Sequence, residues 1–512
     1  MSRRALISVF DKEGVDEFAR GLAELGWELV SSGGTASFLA DAGLPVTTVE
    51  AVTMAPEMLG GRVKTLHPRL HAGILARREL DDDLQALEEQ QIDLIDLVCV
   101  SLYPFARVAE QPGATEADIV EMIDVGGPSM LRAAAKNFAH VTVVSSPSQY
   151  DGVLSELREH GDTRPETRKR LARQAFETTA AYEAAISNWF GSGEPFPEQL
   201  TLALRKVTGL SYGENPHQAA AYYRELGARR HLLSGIEQLG GKELSYNNLG
   251  DLEGARRIAR ELALPAAVIV KHANPCGVAV AETIEEAWER ALAADPVSAF
   301  GCVAVLNRPV GPELGARIGG HFAEVLLAPG YDAAAVESLR ARKALRVLVD
   351  REQLPEPAGE RDYKRVLGGL LVQERNDGAE ERATMELVTG ELDEEQWADL
   401  LFAWQVCKHV SSNAIVLVRG LQTIGIGAGQ MSRVDAVRIA VEKAREHGHE
   451  TSGAALASDA YFPFADGPQI ALDAGIAALI QPGGSIRDGE TVTAVEQAGA
   501  ALVFTGRRHF RH

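Results

Sequence analysis

Residues 5–35 read ALISVFDKEGVDEFARGLAELGWELVSSGGT, and this stretch sets the fold class. ALISVF is an almost unbroken apolar run of strand length, Gly14–Leu25 carries apolar residues at helical spacing, and WELVSS is a second apolar run. Strand, helix, strand and glycine turn make the unit from which parallel, helix-covered sheets are built. Thr35–Ala42 then reads as a second helix, and IDLVCVSLYP and HVTVVSS supply two more strands before residue 150. In such sheets ligands sit beyond the carboxyl ends of the strands, where Asp11, Lys12, Ser32–Thr35 and Tyr103 fall.

Working outward, Arg164–Trp189 has a long helical pattern, and GSGEPFPEQ at 191–199 reads as a linker, dense in Gly and Pro. This places one domain at 1–195 and a second region at 196–512. Beyond the linker, AAVIVKH, GCVAVLN, ALRVLVD, AIVLVRG, TIGIGAG, AALIQPGGS and ALVFTG alternate with helices such as Ile284–Ala294 and Val434–His447. Two α/β lobes fit this region, although periodicity does not place their junction.

A chain of 512 residues exceeds what one core usually serves, so two or three domains are expected. The net charge of -21 disfavours nucleic acid and anionic membranes as partners. A phosphorylated small molecule needs only a local cluster of cations and amides. No apolar run reaches bilayer length, and the start MSRRALISVFDKEG is too short in apolar residues for a secretory signal. Cys99, Cys276, Cys302 and Cys407 are scattered, which argues against disulfides or a zinc site. These features lead us to expect a cytoplasmic protein.

Three segments carry chemistry in the first domain. Ser31–Thr35 (SSGGT) either cradles a phosphate on backbone amides at a helix N-terminus or forms a tight capped turn. GGRVKTLHP (60–68) offers Arg62, Lys64, Thr65 and His67, either as a solvated basic loop or as contacts for a phosphate and a polar heterocycle. IDVGGPSMLRAAAKN (123–137) puts Asp124 before a helix start and Lys136 farther along it. Tyr103, in SLYPF, either anchors a proline turn or completes the constellation.

In this order, SVFDKEG, SSGGT, PEMLGGRVKTLHPRLHAGILAR, LYPF and IDVGG…LRAAAKN resemble the cyclohydrolase domain of the bifunctional AICAR transformylase/IMP cyclohydrolase family. The resemblance implies a methylglyoxal-synthase-like parallel-sheet domain. It also implies binding of formyl-AICAR by Ser8, Lys12, Ser32, Gly33, Gly34, Thr35, Arg62, Lys64, Thr65 and Asp124. Lys64 and Tyr103 then suit oxyanion and orientation roles, Asp124 holds the carboxamide, and Lys136 is the proton-transfer group. The family usually has Asn where this chain has Ser101.

In the second region, VIVKHANPCG (268–277) puts Lys271 and His272 at the end of an apolar strand. They are either a solvated pair at a turn or a cation beside a base that titrates near neutrality. A zinc deaminase needs PCxxC and HxE. Ala279 stands at the second cysteine position and Asn274 at the glutamate's, so the metal ligands are missing. GIGAGQMSR (425–433) is either a packing turn or, with Asn413 and Arg433, a polar substrate wall.

SYGENPHQAA, LSYNNLGD, KHANPCG, DPVSAFG, EVLLAPGY, KHVSSNAIV, GIGAGQMSR, SDAYFPF, GGSIRD and RRHFRH resemble successive motifs of the same family's transformylase domain. This implies two cytidine-deaminase-like lobes without zinc, active sites formed across a homodimer, and no tightly bound cofactor. AICAR would be formylated by 10-formyltetrahydrofolate, a cosubstrate, and the product closed to IMP. By the same resemblance His272 is the base on the 5-amino group and Lys271 the transition-state stabiliser. Tyr212, Asn413, Arg433, Arg508 and His512 would face the ribotide. Phe300, Gly301, Glu324, Tyr461, Asp466, Ser485 and Ile486 would contact ligand, several of them around the folate. Two departures stand out: Ser211 where the family has Arg, and Cys302 where it has Gly.

Overall fold

The computed structural model describes residues 3–226, 230–353, 359–378 and 380–512. The chain divides into two compact units, the first running to Arg205 and the second from Lys206 onward apart from a short return at residue 225. Among the described residues no helix is long and apolar enough to cross a membrane.

The first unit is built on five parallel strands: β1 Arg4–Val9, β2 Glu28–Ser31, β3 Val46–Thr48, β4 Leu97–Ser101 and β5 Thr142–Val144, in the order β3-β2-β1-β4-β5. β1 is central, and Ala5, Leu6, Ile7 and Val9 are all buried because helices cover both faces. The helix Val15–Glu24 buries Val15, Phe18, Ala19 and Leu22, the i, i+3, i+4, i+7 stripe that its sequence spells. Each of the larger side chains in that stripe gains about 1.5–3 kcal/mol on burial. Phe18 stacks on Tyr150 with centroids 4.5 Å apart, fixing this helix to Tyr150–His160. The second helix begins at Gly33, two residues before its expected start, so the glycine turn is itself the helix N-terminus. β3 was not anticipated.

The second unit holds two six-stranded sheets. The first runs Asn274–Val280, Ala266–Lys271, Cys302–Leu306, Ala323–Ala328, Arg346–Asp350, Ile236–Gly240. The second runs Thr423–Gly427, Ile415–Val418, Ala455–Ser458, Ala478–Gln481, Ala501–Phe504, Glu386–Thr389. The two repeat one topology: an edge hairpin, an antiparallel neighbour, two parallel strands and a final antiparallel strand. This fold-level duplication leaves no short repeat in the sequence because only the apolar pattern of each strand is repeated.

The lobes meet along their edge hairpins. The Thr423 hydroxyl accepts from the Val278 amide at 2.9 Å and donates to the Val278 carbonyl at 3.2 Å, and the Val280 amide donates to the Leu421 carbonyl at 3.0 Å. Beneath them one apolar cluster takes residues from both lobes, among them Leu252, Val268 and Val305 with Trp404, Val416 and Val503.

Candidate active sites

In the first unit the structure gathers most of the expected residues at the carboxyl ends of β1, β2 and β4. The helix that starts at Gly33 has no side-chain cap on its first-turn amides, and Gly33 itself is left-handed (φ 51°). A Cβ on Gly33 would lie 3.0 Å from Lys64 Nζ, which places this ammonium directly over the turn. The hydroxyl of Ser32 is buried and has no hydrogen-bond partner in the protein. Thr35, by contrast, is committed: its hydroxyl donates to the Val9 carbonyl (2.9 Å) and accepts from the Val9 amide (3.2 Å), tying helix to β1. Gly34 follows in the helix and Ser8 is half-buried on β1.

Lys12 reaches back to the carbonyls of Val9 and Phe10, the latter at 3.2 Å. Burial lowers its pKa, Asp11 partly opposes this, and Lys64 lowers it further. Two ammonium groups that disfavour one another's charge gain from an anion between them. Ser101, the departure from Asn, accepts from the Phe10 amide at 2.8 Å and the Asp11 amide at 3.2 Å. It therefore anchors the loop that presents Lys12.

Asp124 completes the wall. Burial raises its pKa despite amide donation from Gly127 (2.8 Å) and the nearby charge of Lys64. Its own amide donates to Tyr182 Oη at 2.8 Å, and that hydroxyl donates to the Met122 carbonyl at 2.6 Å. Tyr103 packs edge-on against Phe10, and burial, then Asp124 and Glu57, push its pKa up, so it stays a hydroxyl donor. Glycine at 126 and 127 lets site side chains close onto the backbone. A Cβ would meet Thr65 Oγ1 at 2.3 Å in the first case and Asp124 Oδ2 at 2.3 Å in the second.

Two expected residues lie apart from this cluster. Arg62 pairs with Glu121 in solvent. Lys136 ends the helix Gly126–Lys136, about 15 Å along its axis from the glycines. There it lines a separate cavity of about 630 Å3 with His67, His71, Arg132 and Phe176.

In the second unit Lys271 ends the strand Ala266–Lys271 and His272 opens the two-residue turn that follows. The Lys271 ammonium donates to the Phe300 carbonyl at 2.7 Å, and the His272 ring is exposed. Phe300 lies against Phe322, Gly301 is left-handed (φ 76°), and Glu324 accepts from Asn248 Nδ2 at 2.7 Å. Cys302 belongs to the apolar core with Ala304 and Leu306, where burial pushes its thiol up to about 12. Tyr212 bonds through its carbonyl to the Tyr246 amide, and Ser211 is exposed with its hydroxyl on the Leu244 carbonyl at 3.3 Å.

Asn413, Arg433, Tyr461, Asp466 and Arg508 share one cavity of about 530 Å3 in the second lobe. Arg433 is tied into its wall through both terminal nitrogens: it bonds Asp459, Ser458 Oγ (2.9 Å) and Asn413 Oδ1 (2.7 Å). Arg487, which follows Ser485 and Ile486 in the chain, lies over the ring of Phe464, one of that cavity's residues; Ser485 and Ile486 themselves do not line it. His512 packs on Phe510, whose other neighbour is Arg508. Asn274 Oδ1 accepts from the Ser411 amide at 2.8 Å, and Arg511 donates to the Ala273 carbonyl at 2.8 Å, joining the His272 turn to this lobe. Sequence reading missed Asp251, Asp459 and Arg511, whose importance comes only from partners far away in the chain. Among the described residues no group of three or more His, Cys, Asp or Glu side chains is arranged to hold a metal ion.

A family model described as "AICARFT/IMPCHase bienzyme" matches residues 134–443, and one described as "MGS-like domain" matches residues 14–129. The chain is 49% identical over 519 residues to a protein of Halalkalibacterium halodurans named "Bifunctional purine biosynthesis protein PurH". Proteins of the same name from Sorangium cellulosum and a Synechocystis species are 50% identical over 528 residues and 48% over 517. Each comparison covers 100% of both chains.

Proposed function

The chain belongs to the AICARFT/IMPCHase bienzyme family, and from that premise we propose how its two activities are divided and which residues carry them. It is a bifunctional enzyme of purine biosynthesis, an AICAR formyltransferase and an IMP cyclohydrolase, with an MGS-like domain at its N-terminal end. We assign cyclisation to residues 1–195 and formyl transfer to residues 196–512. The formyl donor is 10-formyltetrahydrofolate, used as a cosubstrate, and the working protein is a cytoplasmic homodimer.

In formyl transfer, His272 takes a proton from the 5-amino group of AICAR as its nitrogen attacks the formyl carbon. Lys271 balances the oxyanion that develops, and the bond to the folate nitrogen then breaks as that nitrogen gains a proton. Tyr212, Asn413, Arg508 and His512 hold the ribotide; Phe300, Gly301, Glu324, Tyr461, Asp466, Ser485 and Ile486 hold ligand, several around the folate. Arg433 acts by holding Asn413.

In cyclisation, Ser32, Gly33, Gly34 and Lys12 receive the phosphate, with Ser8 and Thr65 around it, Thr35 bracing the turn through Val9, and Arg62 joining only on leaving its solvent pair with Glu121. Asp124 accepts from the carboxamide nitrogen, which attacks the formyl carbon. Lys64 and Tyr103 stabilise the resulting oxyanion, which gains two protons, one released by the attacking carboxamide nitrogen and one by the formamido nitrogen, and leaves as water as the C=N bond forms. Lys136 is the proposed proton-transfer group, acting from the cavity that it shares with His67 and His71. Holding the two reacting atoms in one orientation contributes about 7–11 kcal/mol at most.

The observation that carries this reading is Lys64 Nζ standing over the left-handed Gly33 beside the unpartnered Ser32 hydroxyl. The test separates the activities. His272→Ala should lose formyl transfer and keep cyclisation of supplied formyl-AICAR, and Lys64→Ala should do the reverse. A folded variant of either kind that lost both would refute the division.

A further inference from the structure

The two lobes of the second unit repeat one device with different contents. In each, antiparallel strands are joined by a two-residue turn: His272–Ala273 between the paired Lys271 and Asn274, and Gly420–Leu421 between the paired Arg419 and Gln422. All four turn residues are left-handed, with φ of 54° and 61° in the first lobe and 58° and 60° in the second. The sixth residue of the helix packed behind each turn is an aspartate, in Tyr246–Glu261 and in Glu394–Cys407. Asp251 accepts the amides of His272 (3.2 Å) and Ala273 (2.6 Å), and Asp399 accepts those of Gly420 (2.7 Å) and Leu421 (2.6 Å).

The contents differ where chemistry differs. The second lobe puts glycine at the first turn position, whereas the first lobe puts His272 there. A side chain in left-handed backbone is strained and persists only where its surroundings hold it. Asp251 holds both amides of the turn, and Arg511 holds the Ala273 carbonyl at 2.8 Å. We propose that Asp251 is a positioning residue for formyl transfer: with Arg511 it keeps His272 at the apex of a turn that the residue would not adopt unaided. This inference rests on the reading of His272 as the base.

Asp399 is the internal control, since it makes the same clamp on a turn that carries no reacting group. Steady-state formyl transfer is measured for Asp251→Asn, Asp399→Asn, Asp251→Asn with Ala273→Gly, Arg511→Gln and His272→Ala. A displacement on the scale of an ångström lowers kcat about 10- to 100-fold, so Asp251→Asn should do so with KM for AICAR and donor within about threefold. Asp399→Asn should unfold at lower denaturant yet keep kcat within about twofold, because it loosens a turn of similar energy away from the base. Adding Ala273→Gly to Asp251→Asn should recover at least about fivefold in kcat, since glycine adopts the left-handed region unassisted.

Equal kcat losses for the two aspartate variants, or a kcat for Asp251→Asn like that of the unaltered enzyme, would overturn the proposal. If Asp251→Asn does not accumulate folded, Arg511→Gln decides: a selective fall in kcat supports the clamp and an unchanged kcat overturns it. His272→Ala separates the two layers. Full activity there removes the base itself, whereas an inactive His272→Ala beside an unaffected Asp251→Asn removes only the clamp.

Discussion

Replacing Arg433 with methionine should unfold the second unit well before it tells anything about ribotide binding. The Arg433 side chain is 6% exposed and Asp459, its partner, is 0% exposed. Asp459 also accepts from Ser412 Oγ (2.5 Å) and from the Ala414 amide (3.1 Å), so the variant leaves a carboxylate with neutral donors and no countercharge. Removing one member of a buried pair costs about 3–5 kcal/mol, whereas removing both charges together costs far less. With a denaturant slope of about 2–3 kcal/mol per molar, the urea midpoint should fall by about 1–2 M. Arg433→Met with Asp459→Asn should recover most of that fall, giving a coupling of about 2–3 kcal/mol. Fluorescence of Trp288, Trp397 and Trp404, all buried in this unit, reports its unfolding. Cyclisation of formyl-AICAR over the same urea range reports the first unit. A single variant that kept its midpoint within about 0.2 M yet lost formyl transfer would show that the guanidinium serves substrate and not the wall.

Burial raises the pKa of Asp124, so its contribution to stability is complete below the unfolded carboxyl value and is lost as pH rises through the folded one. Asp124→Asn should therefore resist urea better than the unaltered protein at pH 8, with the gap closing towards pH 4, while cyclisation falls at least about 100-fold. A gap that widened on acidification would contradict this assignment of sign. Gly33→Ala strains a φ of 51° and crowds Lys64, so KM for formyl-AICAR should rise about tenfold, and an unchanged KM would remove the turn from phosphate binding. Lys136→Ala should slow cyclisation by about 100-fold or more. A rate within about twofold of the unaltered enzyme would leave proton transfer to Asp124 and Tyr103.

Buried strands were the most legible part of the chain. ALISVF and AAVIVKH became Arg4–Val9 and Ala266–Lys271, and Ile284–Ala294 became a helix with those very ends. Val46–Thr48 escaped because three residues carry no period. Residue types at the first site pointed to an anion, but not that Thr35 spends its hydroxyl on Val9 or that Lys136 lies a helix length away. Such facts depend on packing between segments far apart in sequence. Asp251 was hidden for the same reason: within LSYNNLGD it is one polar residue on a helix, and its meaning comes from a turn 21 residues later. The meaning of the departures at Ser101 and Cys302 also needed the structure, which gives the first a loop to anchor and the second a place in the core.

The seam between the lobes of the second unit bears on how that half turns over. Edge strands that bond directly across the junction, above a core drawn from both sides, leave no slack for a clamshell to swing. On the proposed assignment, the ligands of this half meet two lobes whose spacing is set at folding, and only side chains and rim loops adjust as products depart. The same seam means that neither lobe could be excised without baring a dry surface, so this half is a single indivisible piece of the enzyme.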